Sequence, residues 1–143
     1  MTQTAKLLDA VAKNAQTGAI AIEDLLPKTQ DEQMRSELRS QHEQFVAVHR
    51  SAEKMLEACG ENTPNPSFMA KMGMWMGTQF NTALDRSGAH LADIMIEGLT
   101  MGVIDTTKAR NDNPDANAEA QGIAASFITQ QQDSIDRMKR FLT

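Results

Sequence analysis

Apolar residues recur every three or four positions over most of this sequence, which is the spacing of residues on one face of an α-helix. Four such segments run through residues 4–26, 31–59, 88–109 and 116–141. A fifth, over residues 67–85, has apolar residues on more than one face. Residues that favour strands are scarce, since the 143 residues include no Tyr, one Trp and five Phe. The pattern predicts an all-α protein.

Capping and helix-breaking residues mark the ends of the predicted helices. Pro27 cannot continue the first helix, and the Asp31 side chain can accept a hydrogen bond from a free amide at the start of the second. Gly60 suits the left-handed conformation that ends many helices. The connector between the first two helices is short, so we expect them to be antiparallel neighbours. The last two helices form a second such up-down hairpin.

The stretch from Ser67 to Lys108 decides the predicted topology. If it formed one unbroken helix, that helix would be ~60 Å long at ~1.5 Å per residue and would overhang the other helices. The stretch Asp85–Gly88 is the natural break, which leaves a crossover helix over residues 67–85. A connection that contains its own helix lets the second and third bundle helices run parallel. We therefore predict a four-helix bundle with a helix-containing crossover.

Composition and charge exclude several classes of protein. The formal net charge is −5, whereas nucleic-acid-binding proteins present a concentrated basic face. A single cysteine cannot form an internal disulfide, which favours a reducing environment. No apolar run approaches the ~20 residues of a membrane span, and the N-terminus lacks the apolar core of a signal peptide. We expect one cytoplasmic domain, residues 1–143, that binds neither nucleic acid nor membrane.

Four parts of the chain together resemble the ferritin-like superfamily: LLDAVAKNAQTGAIAIEDLL at the start, the single Trp75, LADIMIEGLTMGV, and QDSIDRMKRF at the end. They are similar in particular to a bacterial family of four-helix-bundle proteins known only as a domain of unknown function. Members of that family carry a Gly and then an Ala-Glu-Asp ending in the first helix, which Gly18 and Glu23-Asp24 match loosely. The resemblance covers nearly the whole chain. It implies a ferritin-like fold, in a superfamily often linked with oxidative stress and metal handling.

The ligands of a ferritin-like di-iron centre are largely missing. Such a centre takes one Glu from each of two helices and a Glu-x-x-His motif from each of the other two. No Glu-x-x-His motif occurs here, since Arg39, Val46 and Ser87 stand three positions before the three histidines. Gln132 lies on the core face of the last predicted helix, and its neutral amide is a poor iron ligand. Glu97 alone matches a ligand position, so we predict no di-iron centre and no cofactor.

A different divalent-metal site is the alternative. His42 and His49 lie on one face of the second predicted helix, and His90, Asp93 and Glu97 form a ridge on the third bundle helix. If the two ridges meet, their imidazoles and carboxylates would bind a divalent ion. Otherwise the histidines are interfacial side chains and the acids are solvated.

Three glutamines lie on or beside the predicted apolar faces: Gln41, Gln79 and Gln132. Buried amides need hydrogen-bond partners, so these residues would form a polar layer where a metal centre would otherwise lie. The alternative is that they stand at the edges of those faces and contact water.

The predicted crossover concentrates four of the ten methionines around the only Trp, in the stretch FMAKMGMWMGTQF. Three interpretations compete, namely filling of the core, self-association, and soft-metal binding by thioethers. Core filling comes first, and self-association comes next because small residues four positions apart let helices approach closely. Soft-metal binding comes last, because Met at helical spacing is more often a core residue than a ligand. We predict a homodimer that forms through Met69, Met72, Gly73, Trp75, Met76 and Gly77.

Nucleophilic chemistry has little support in the sequence. Cys59 lies at the end of the second predicted helix, where the helix dipole disfavours a thiolate. No Gly-rich phosphate loop follows a predicted strand. The preferred function is therefore a non-catalytic binding or scaffolding protein, and the alternative is a metal-binding or redox protein with a non-standard site.

Overall fold

The computed structural model describes residues 1–60 and 87–143. Within these ranges the chain forms four α-helices and no strand: α1 Gln3–Leu25, α2 Glu32–Ala58, α3 Gly88–Asp112 and α4 Ala118–Lys139. A short 3-10 helix, Leu26–Lys28, follows α1. The prediction of an all-α four-helix bundle is confirmed. The predicted crossover helix, residues 67–85, lies outside the described residues.

A short polar side chain caps the start of each of these helices. The capping oxygen accepts a hydrogen bond from the backbone amide three residues later, which has no partner within the helix. The four capping residues are Thr2, Asp31, Ser87 and Asn117. At the other end of α2, Gly60 has a φ of 74°, in the left-handed region that its position predicts.

Hydrogen bonds between helix ends give the direction of α4. The backbone amide of Asp115 donates to Gln3 Oε1 over 2.7 Å, and that of Asn117 donates to Thr4 Oγ1 over 2.9 Å. The start of α4 therefore lies beside the start of α1, and the two helices run parallel. Arg137, near the end of α4, pairs with Glu37, near the start of α2, so α2 runs antiparallel to both.

The start of α3 lies at the opposite end of the bundle from the end of α2. Gly88, the first residue of α3, faces the side chain of Met34 at the start of α2. Helix α3 packs against α1 and α4, and α2 packs against α1 and α4, so α2 and α3 lie diagonally across the bundle. The chain consequently leaves α2 at one end and enters α3 at the other, and these two helices are parallel.

Helix α1 is the centre of the core because it packs against the three other described helices, as α4 also does, and has more buried residues than any of them. Twelve of its 23 residues are buried, and residues 11–15 are buried in succession. Across from it, the rings of Phe45 and Phe127 meet edge to face with centroids 5.9 Å apart, which joins α2 to α4. None of the helices in the described ranges has both the length and the apolarity that crossing a membrane requires.

Two glycines let side chains from facing helices approach closely. A Cβ added at Gly18 would lie 2.5 Å from the ring of Phe45, and one added at Gly102 would lie 1.9 Å from Oε1 of Gln131. Real Cβ atoms do not come this close to other heavy atoms, so a larger residue would push its neighbour away. The close approach of α1 and α2 therefore depends on Gly18, whereas the atom nearest Gly102 is the end of the flexible Gln131 side chain, which can move aside.

Gly18→Ala is expected to lower the free energy of unfolding by about 1–3 kcal/mol, because the new methyl group collides with a packed ring. Gly122→Ala in α4 is the matched control, since a Cβ there has nothing within 4 Å. It should raise the stability by about 0.5–1 kcal/mol, the usual gain for Gly to Ala within a helix. Urea unfolding followed by circular dichroism measures both, and equal effects of the two changes would contradict the packing described for Gly18.

Candidate functional site

Several uncharged polar side chains are buried in the middle of the bundle. Four of them line two adjoining spaces: Asn14 and Thr17 from α1, Gln41 from α2 and Gln131 from α4. We call these four residues the polar centre. Phe45 and Gln131 line both spaces, and Gln41 lines the second. The polar centre is the candidate functional site because buried polar groups cost free energy unless they are satisfied.

The two glutamines are only partly satisfied. Gln41 is 1% exposed, and its Nε2 donates to Glu37 Oε1 over 2.9 Å. Its Oε1 has no partner among the described residues. Gln131 is 3% exposed, and its Nε2 reaches the backbone carbonyl of Phe127 only over a long 3.5 Å.

The burial of Gln41 agrees with its place in a polar core, but Gln132 is exposed. The prediction of Gln132 as a core residue is therefore wrong, and Gln131 takes the buried position. The reason is that α4 is rotated by about one residue from the face predicted, so that Phe127 can pack against Phe45. Gln79, the third predicted glutamine, lies outside the described residues.

Polar groups on α1 and α3 extend this buried layer. Asn14 is 6% exposed, and its Nδ2 donates to the backbone carbonyl of Ala10 over 2.9 Å. Thr106 of α3 is fully buried, and its hydroxyl has no partner among the described residues. An unsatisfied buried hydroxyl or amide costs about 1–3 kcal/mol. The described core thus has unused hydrogen-bonding groups on Gln41 and Thr106.

A cleft between α1 and α3 opens onto the polar centre. Small residues line it on both helices, with Gly18 and Ala21 on α1 and Gly98 and Gly102 on α3. The enclosed space is about 30 Å³, and the whole cleft including its solvent-filled mouth is about 470 Å³. An enclosed space of this size holds one or two water molecules.

The two carboxylates that form the least exposed ion pairs already have cationic partners. Glu37, whose side chain is 10% exposed, accepts a hydrogen bond from Arg137 Nε over 2.6 Å, and Arg140 Nη2 lies 3.8 Å away. Arg137 also donates to Ser134 Oγ over 3.1 Å. On α1, Lys13 forms an ion pair with Asp9 one turn earlier, with both side chains largely buried. These carboxylates neutralise cations of the same chain.

The structure does not bring the five predicted metal ligands together. His42 Nε2 lies 3.6 Å from Glu23 Oε2, and His49 Nε2 lies 3.3 Å from Glu53 Oε1. Both histidines are therefore partnered at the edge of the bundle, on a helix diagonal to α3.

On α3 the second ridge points away from the core. His90 is half-buried, whereas Asp93 and Glu97 are exposed. Within residues 1–60 and 87–143, no three His, Cys, Asp or Glu side chains are grouped so as to hold a metal ion.

The predicted self-association surface falls in the part of the chain that is not described. It comprises Met69, Met72, Gly73, Trp75, Met76 and Gly77. Cys59 is described, and it is exposed just beyond the end of α2.

Sequence reasoning missed the polar residues Thr17 and Thr106 and the pair between Glu37 and Arg137. The two threonines carry a weak signal, because each interrupts an apolar face with a polar residue. The ion pair joins residues 100 positions apart, and no local pattern reports such a contact.

Comparison of the chain with protein-family models, curated proteins and solved structures finds no match. Evidence on function comes from the chain itself, chiefly from the polar centre and the ion pairs beside it. Both are built from side chains of at least two helices, so they depend on the tertiary fold.

Arg137→Met is expected to lower the free energy of unfolding by about 1–3 kcal/mol, because Glu37 would lose its closest cationic partner while remaining largely buried. Lys139→Met, two residues away, is the control. Its pair with Asp136 is exposed on both sides and should contribute less than ~0.5 kcal/mol. Chemical unfolding of both variants measures the two losses of stability. If Arg137→Met lowers the free energy of unfolding no more than Lys139→Met, the Glu37–Arg137 pair does not stabilise the fold.

Proposed function

We propose that this chain is a ferritin-like four-helix bundle without di-iron chemistry, and that it acts as a non-catalytic binding or scaffolding protein. The observation that carries the proposal is the set of neutral amides buried in the middle of the bundle, Asn14, Gln41 and Gln131. A di-iron centre instead needs carboxylates and imidazoles there, because two iron ions carry a large positive charge. Neutral amides cannot balance it.

The topology of the described helices supports the ferritin-like part of the proposal. Helices α1 and α2 form one antiparallel hairpin, and α3 and α4 form another. Because α2 and α3 are parallel, the connection between them must join opposite ends of the bundle. One long crossover between two hairpins is characteristic of ferritin-like folds. The resemblance of the sequence to that superfamily agrees with it and extends the proposal to a stress-related role.

The placement of the acidic residues supports the non-catalytic part. Glu37 and Asp9 are held by Arg137 and Lys13, so binding of a metal ion by either carboxylate would leave a basic side chain without its partner. Glu97, the one residue at an expected ligand position, is exposed. Glu23 pairs with His42 at the edge of the bundle.

Anaerobic loading with ferrous iron tests this proposal. The untagged protein is incubated with Fe²⁺, freed of unbound metal by gel filtration and analysed for iron by mass spectrometry. We expect no stoichiometric retention, and no absorbance from an oxidised di-iron centre when air is admitted. Retention of about two iron ions per chain, followed by oxidation, would overturn the proposal.

Variants in the histidines extend the same experiment to the non-standard site. If the protein retains metal, the combined change His42→Ala, His49→Ala and His90→Ala identifies the ligands. Loss of metal from this variant would establish the metal-binding alternative. Undiminished retention would direct attention to acidic residues, and would equally contradict a protein without metal chemistry.

We also infer that the chain forms a homodimer through its Met-rich segment. The support is the sequence alone, where Trp75 stands among four methionines and two glycines spaced four apart. Light scattering after gel filtration should give twice the mass of one chain at micromolar concentration. Trp75→Glu should shift the mass to that of a monomer, whereas Ile104→Glu, at a described position that is 46% exposed, should not. A monomer mass for the unmodified protein would contradict the dimer.

A further inference from the structure

Lys13 is buried on the face of α1 that points away from the core. It is nine residues, or about two and a half turns, from the fully buried Ile22, so the two side chains leave α1 on opposite sides. Lys13 is nevertheless only 6% exposed, and its ion-pair partner Asp9, one turn earlier, is also largely buried. Charged side chains on the outside of a bundle are normally solvated. Some part of the chain therefore covers this outer face of α1.

The cover is confined to the middle of α1. Lys6 and Ile20 are each seven residues, or about two turns, from Lys13, so all three side chains lie on the same outer face. Lys6 is exposed and Ile20 is 40% exposed. Helices α2 and α3 flank α1, and α4 lies diagonally across the core, so these described helices do not shield the middle of the outer face. The covering segment crosses α1 and does not run along it.

Residues 61–86 are the part of the chain whose ends fit this position. They join Gly60, just after the end of α2, to Ser87, which caps the start of α3 at the other end of the bundle. These 26 residues would span ~39 Å even as one helix, whereas the 23-residue α1 is ~35 Å long. Because α2 and α3 are diagonal, the connection has to pass over either α1 or α4.

The outer face of α4 is open along the length of the helix. Gly122, Ser126, Thr129, Asp133 and Asp136 follow one another at three- or four-residue steps on this face, and all five are exposed. A segment that passed over α4 would shield at least one of these turns. The burial of Lys13 and the exposure of α4 together favour the route over α1.

We infer that the outer face of α1 around Lys13 is the docking surface for residues 61–86, and that the Met-rich segment, residues 68–80, packs over it. Positions 73 and 74 are midway along the connection, as Lys13 and Asn14 are midway along α1. Methionine side chains are flexible and apolar, so they suit an irregular surface that includes the aliphatic stem of Lys13. Docking at α1 does not depend on the proposed homodimer, but it places the homodimer surface on the α1 side of the bundle.

Energy transfer from Trp75 tests the route, because this is the only Trp in the chain. In a Cys59→Ser background, a dansyl-type acceptor is attached to Ile20→Cys on the outer face of α1. The matched control carries the acceptor on Ser126→Cys, an exposed position on the outer face of α4. We expect Trp75 to lose most of its emission to the acceptor at position 20 and little to the acceptor at position 126. Transfer to position 126 that is as strong or stronger would overturn the inference.

Mixed chains distinguish docking within one chain from cover by a second copy. Chains that carry the acceptor at position 20 and Trp75→Phe are mixed with unlabelled chains that keep Trp75. We expect much less transfer in this mixture than when donor and acceptor are in the same chain. Equal transfer would show that a second copy covers α1, and would overturn the inference. A monomer mass in light scattering would contradict the homodimer alone, so the two failures are distinguishable.

Lys13→Glu tests the docking surface itself, and Lys6→Glu makes the same change at an exposed position of the same face. Lys13→Glu puts two negative charges together at a buried place, because Asp9 is one turn away. Their repulsion and lost hydration should release the docked segment and reduce the transfer from Trp75 to the acceptor at position 20. Lys6→Glu should leave the transfer unchanged.

Circular dichroism reports whether each variant keeps its helices. If Lys13→Glu is folded and shows the same transfer as Lys6→Glu, this face of α1 is not the docking surface and the inference is overturned. If Lys13→Glu does not fold, the comparison of acceptors at positions 20 and 126 decides the question, because both labels stand at exposed positions.

Discussion

The contact between the Phe45 ring and Gly18 is the constraint on which the rest of the bundle depends. It lets α2 approach the central helix α1, and the same ring meets Phe127 of α4 edge to face at 5.9 Å. One side chain thereby sets the relative positions of three helices. Gln41 and Gln131 line one space together with Phe45, so the geometry of the polar centre depends on this contact as well. A bundle with a larger residue at position 18 would have to place its amides elsewhere.

The distribution of charge supports the proposal of a non-catalytic function. Ion pairs such as Glu37–Arg137 and Lys13–Asp9 hold charges of opposite sign within the same chain. Redox or hydrolytic chemistry at a metal would need an excess of negative ligands in one place. The middle of this bundle instead has hydrogen-bonding groups without charge, at the inner end of an apolar cleft.

Much of the fold was predictable because the start and end of a helix depend on residues close together in the sequence. Pro27, Asp31 and Gly60 mark ends that the structure places at or within a few residues of those positions, since capping and helix breaking involve only neighbouring residues. The site was less predictable. Gln41 is buried as the spacing indicates, but on α4 the buried residue is Gln131 and not Gln132. An α4 rich in Ala and Ile offers two overlapping apolar faces, and local spacing cannot choose between them.

By itself, the sequence determined the helical class, the helix ends and the shortage of di-iron ligands, because these depend on residue type and on spacing along one helix. Only the tertiary structure decided which face of α4 is buried, that α2 and α3 lie diagonally, and that the histidine and acidic ridges stay apart. It also decided that Arg137 meets Glu37 and that Thr17 and Gln131 share one cleft. The physical reason is that these features follow from side chains of different helices competing for the same space, which the spacing along any one helix does not record.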